Sequence, residues 1–151
     1  MNNIIPPDEF VAVLQDTFAR GQELTFTPTG VSMLPMLDGK NDKVTFSPKP
    51  DRLKKYDVAF YRRPENGQLV LHRMVGFTRD GGYIFSGDHQ NYYEYGITDD
   101  DVLALMSSFT HKGQERSVKG FRYFIYCRLM LLKKNAIIFT RRIYHALFKK
   151  N

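Results

Sequence analysis

Apolar and polar positions change rhythm twice along this chain. Behind Pro6, Pro7, Asp8 and Glu9, the apolar residues Phe10, Val11, Val13, Leu14 and Phe18 recur at helical spacing. Proline in the first turn and acidic side chains near the positive end of the helix dipole predict a short helix that closes near Gly21. From there the apolar runs shorten, which predicts strands at 24–26, 43–46, 57–61, 69–77, 83–85 and 102–109. Pro64-Glu65-Asn66-Gly67 and Asp80-Gly81-Gly82 separate consecutive runs. Glycine and asparagine supply the positive φ of tight turns, so two antiparallel hairpins are expected. After Gly120 neither glycine nor proline occurs, and apolar blocks alternate with basic pairs. That pattern predicts helix, either continuous or as two short helices joined near Lys134-Asn135. The basic residues scatter around a helical wheel, so no single polar face is expected.

Short strands without intervening helices argue for a mainly β fold, a compact antiparallel domain, and against a parallel α/β sheet. The organisation read from the pattern is an N-terminal helical segment (1–21), a β domain (22–110) and a basic, helical tail (111–151).

Composition narrows the classes. With 151 residues, 42% of them hydrophobic, the chain fills one ordinary core. The single cysteine, Cys127, has no internal partner, and no Cys/His cluster has zinc-site spacing, so neither a metal nor another cofactor is expected. The opening residues lack the basic and apolar regions of a secretory signal. Arg128, Lys133 and Lys134 interrupt the best apolar runs, so no membrane-spanning helix is expected. These readings favour a cytoplasmic or peripherally membrane-associated protein. The net charge of +6 is unevenly spread: residues 1–110 carry −4 and residues 111–151 carry +10. Such a tail suits a solvated helix covering the sheet, or an anionic membrane surface. Nucleic acid is the weaker partner, because no recognition motif accompanies the charge.

Three segments carry candidate chemistry. Gly30-Val31-Ser32-Met33-Leu34-Pro35 places a serine between a flexible glycine and a stiff proline; it reads as an ordinary turn or as a loop holding a nucleophile, which would need a base. In Leu69-Val70-Leu71-His72-Arg73-Met74-Val75-Gly76, strand alternation puts His72 on one face with Val70 and Met74. An imidazole there must be hydrogen bonded, as a structural residue or as that base. Ser86-Gly87-Asp88-His89-Gln90-Asn91 ends a strand in a polar turn. Asp88 is a turn residue, an orienting acid for His72, or the ion-pair partner of Arg73.

Taken in order, the three segments resemble the serine-peptidase superfamily of type I signal peptidases and self-cleaving, LexA-like SOS repressors. The motifs of that superfamily are Gly-x-Ser-Met-x-Pro, a strand bearing the base followed by Arg, and Gly-Asp-Asn. The resemblance covers roughly residues 26–105. It implies a largely β fold with a shallow cleft and amide hydrolysis through an acyl-enzyme. His72 stands where many members have lysine, as in the endoplasmic-reticulum, archaeal and sporulation-type signal peptidases. The implied roles are nucleophile for Ser32, base for His72, orienting acid for Asp88, and backbone oxyanion donors at Gly30 and Ser32. His89 departs from the motif's first asparagine, and Glu94 and the run Asp99 to Asp101 remain candidates for a downstream acid. The expected activity is cleavage of a peptide or protein precursor. The alternatives are a non-catalytic peptide- or membrane-binding module on the same fold, and a self-cleaving regulator. The latter would need a DNA-binding segment, and the 20-odd residues before the β domain are too few for one.

Overall fold

The computed structural model describes residues 6–148; residues 1–5 of the first segment and residues 149–151 at the end of the tail lie outside it. Helix α1 (Pro7–Ala19) precedes strands β1 (Leu24–Phe26), β2 (Val44–Ser47), β3 (Val58–Arg62), β4 (Leu69–Phe77), β5 (Tyr83–Ser86) and β6 (Glu94–Ile97). A 3-10 turn at Asp99–Asp101 leads into β7 (Val102–His111) and β8 (Gln114–Ser117), and helix α2 (Phe121–Phe148) ends the described chain. All eight strands form one antiparallel sheet in the order β1-β2-β7-β3-β4-β5-β6, with β8 also paired to β7. The fold is therefore mainly antiparallel β with a helix at each end.

The two predicted hairpins are present as β3–β4 and β4–β5. β3 and β4 are buried on both faces, which explains why their sequences, VAFYR and LVLHRMVGF, read as near-continuous apolar runs. Side chains alternate between two cores. Val58, Phe60 and Leu71 join Leu14, Phe46 and Met106 in one cluster; Ala59, Tyr61, Val70 and Met74 join Tyr83 and Phe85 in the other. Helix α1 reaches the first cluster through Leu14, and the Phe10 ring meets Phe26 and Phe60 edge-on at 5.0 and 5.5 Å.

Two expectations need correction. Residues 111–120 are not the start of a helical tail: His111 ends β7, and β8 extends the sheet as a hairpin. Nor does the helix break near Lys134-Asn135, since α2 runs unbroken for 28 residues. Cys127, Leu131 and Lys134 are buried against the body, so helical continuity there is set by packing rather than by propensity. Among the described residues, no helix is long and apolar enough to cross a membrane.

Candidate active site

The loop carrying Ser32 is shaped by close backbone approaches that only glycine allows. Gly30 has φ +96°, and a Cβ on Gly39 would lie 2.3 Å from the Gly30 carbonyl oxygen. On the other side, a Cβ on Gly87 would lie 2.6 Å from the Ser32 carbonyl oxygen. That oxygen accepts a hydrogen bond from the His89 N–H at 2.8 Å. The glycine of the Gly-Asp turn is thus needed to bring its loop against the Ser32 backbone. The position of His89 is used through its main chain, a role indifferent to the side chain.

Ser32, Gly30 and His72 line one cleft of about 500 Å³, together with Arg63, His89 and Tyr92. His72 is 2% exposed. Its Nδ1 lies 3.0 Å from Glu94 Oε1 and 3.2 Å from the Tyr61 hydroxyl, which in turn donates to Glu94 Oε2 at 2.8 Å. The Arg63 guanidinium grips the same carboxylate with two donors, at 2.8 and 2.6 Å. Burial alone would push the Glu94 carboxyl up. The hydrogen bonds from His72, Arg63 and Tyr61 outweigh it and hold the group down at about 2. With Glu94 ionised and the Tyr61 hydroxyl donating to it, His72 Nδ1 is the nitrogen turned to the acid, and Nε2 is the one left for another partner. Among the described residues neither Nε2 nor Ser32 Oγ has a hydrogen-bond partner, and the two are not bonded to each other.

Of the roles open for Asp88, the structure shows the ion pair with Arg73 and not an orienting acid for His72. Asp88 receives Arg73 Nε at 2.9 Å and Nη2 at 2.8 Å, and the Tyr126 hydroxyl at 2.9 Å. Both Arg73 and Asp88 side chains are fully buried. The remaining guanidinium protons reach the Tyr56 carbonyl, the Tyr123 hydroxyl and the sulfurs of Cys127 and Met36. The physical reason is alternation: on β4, Arg73 must point to the face opposite His72, and Asp88 follows it. The acid beside His72 is Glu94, from β6. Asp99 bonds Tyr83 and Arg52 instead, and Asp101 caps Thr98.

Tyr61 and Arg63 were not singled out from sequence, although a signal existed. The turn at Pro64 to Gly67 fixes the β3–β4 register, with Ala59 opposite His72 and Tyr61 opposite Val70. Tyr61 therefore shares the His72 face two residues along. Lys134 was also overlooked: its buried ammonium donates to Ser86 Oγ at 2.6 Å and the Gly87 carbonyl at 2.5 Å. Burial pushes it down to about 8. Helix α2 thus clamps the loop that abuts Ser32. Among the described residues no cluster of side chains has the makings of a metal site.

Comparisons with protein-family models, with curated proteins and with solved structures found no match to this chain.

Proposed function

We propose that this chain is a serine endopeptidase of the signal-peptidase and LexA-like type, working by a Ser-His mechanism on a peptide or protein precursor. The observation that carries the reading is His72, a buried imidazole held through Nδ1 by an ionised carboxylate while its other nitrogen is unpaired in the cleft that Ser32 also lines. A general base needs this division of labour, one ring nitrogen fixed by an acid and the other facing the cleft where a hydroxyl proton can be taken.

In this mechanism substrate brings Ser32 Oγ within reach of Nε2. Ser32 attacks the scissile carbonyl, His72 takes the hydroxyl proton and returns it to the leaving amine, and water then hydrolyses the acyl-enzyme by the same route in reverse. Glu94 stabilises the imidazolium formed at each step, the part first assigned to Asp88. The main-chain N–H groups of Gly30 and Ser32 have no partner among the described residues, which leaves them available to the oxyanion. The resemblance adds a preference for small residues on the acyl side of the cleaved bond.

The test is labelling with a fluorophosphonate probe, comparing the full chain with Ser32→Ala. Labelling that disappears in the variant supports the assignment. Equal labelling, or none in a folded native chain, removes it.

A further inference from the structure

Helix α2 has two apolar faces. Cys127 and Leu131 lie on the inner face against the body, beside Lys134. At 100° per residue, Phe121, Leu129, Leu132, Phe139, Ile143 and Leu147 fall within a sector of about 80°, on the side away from that buried trio. All six are exposed, from 43% for Ile143 to 77% for Phe121. The stripe runs the length of the helix, roughly 40 Å at 1.5 Å per residue. Soluble monomers rarely leave so long an apolar strip uncovered.

Its borders identify the occupant. No aspartate or glutamate occurs in α2. Arg122 and Lys133 flank the stripe on one side and Arg128 on the other, each exposed. Arg141 and Arg142 add to the charge of the outer half, where residues 139–148 are all exposed. We propose that this face of α2 lies in the plane of an anionic lipid bilayer, apolar stripe inward and basic side chains at the headgroups. A second copy of the helix would set cation against cation with no acid to answer them. A nucleic acid would meet the charge and leave the stripe in water. Because the body sits on the opposite side of the helix, a flat surface reaches the whole stripe. The inference stands independently of the proposed peptidase activity.

The experiment is cosedimentation of the full chain with phosphatidylglycerol-containing vesicles and with pure phosphatidylcholine vesicles. Binding is expected to the anionic vesicles and to weaken strongly from 0.1 to 1 M salt, as the screening length shrinks from about 10 to about 3 Å. Arg122→Gln with Lys133→Gln is expected to weaken it roughly 25-fold, and Leu132→Glu with Phe139→Glu to abolish it. Thermal melts establish that these surface variants are folded; should the glutamate pair fail to fold, the glutamine pair and the salt series still decide. Equal binding to both vesicle types, no binding to either, or wild-type binding by a folded glutamate variant overturns the proposal. Vesicle-independent dimers that vanish in the glutamate variant overturn it in favour of self-association.

Discussion

Two carboxylates serve adjacent residues of one strand and do opposite things. On one face of β4, Asp88 and Arg73 form a sealed pair in which every guanidinium proton has a partner and water has no access. On the other face, Glu94 holds His72 by one nitrogen and leaves the second open to a cleft. Both clusters are built from an acid, a base and tyrosine hydroxyls, so residue types do not distinguish them. The incomplete one has somewhere to put a proton, and the complete one has not.

The comparison breaks most visibly on activity. Ser32→Ala and His72→Ala are each expected to lower fluorophosphonate labelling by several orders of magnitude, and the double variant no further, because the proposed mechanism has the two groups act as a unit. A double variant much slower than either single would contradict the shared mechanism. Arg73→Met should act on stability, since it strands a buried carboxylate. The cost is about 3–5 kcal/mol, a fall in Tm on the order of 10 °C, readable by a thermal melt. A variant as stable as the native chain would show that the sealed cluster is not structural.

Substitutions at the two carboxylates sharpen the contrast between the acids. Glu94→Gln removes the ionised acceptor of the Nδ1 proton and should slow labelling at least about 100-fold. Asp88→Asn should lower the melting point while leaving labelling of the folded protein within a few-fold. The pH dependence follows from Glu94. Its carboxyl is held at about 2 in the folded chain, below its ordinary value of 4.5. The stability it contributes is therefore present above roughly pH 5 and is lost as pH falls towards 2. Melts between pH 2 and 6 should show a shallower acid slope in Glu94→Gln. The smallest effect is expected at His89, whose bond to the Ser32 carbonyl comes from its backbone. His89→Asn should change neither labelling nor Tm by a measurable margin, and a large loss would assign its side chain a role in the cleft.

Much of this was legible before any coordinates. β1 and β4 fall where apolar runs end in turn residues, and both hairpins follow from Asn66-Gly67 and Gly81-Gly82. β6 was missed because Glu94-Tyr95-Gly96-Ile97 has one buried residue and no alternation to read. The choice between Asp88 and Glu94 was illegible for a different reason. It depends on which face of β4 each loop returns to, a matter of sheet order rather than of spacing along the chain. The outer stripe of α2 was hidden because the helix buries a second apolar face, and the two together blur any single periodicity.

Strand β7 carries a consequence for how the chain is made. It alone pairs with β2, β3 and β8, so it joins the β1–β2 ribbon to the β3–β6 meander. On a ribosome, both ribbons emerge before residues 102–111 do. Until then Phe26, Phe46 and Phe60, whose rings pack together at 5.1 to 6.0 Å once the sheet closes, have no common surface. The nascent chain therefore exposes two unpaired strand edges and an aromatic core in halves, the condition in which growing chains are most open to aggregation and most in need of a chaperone.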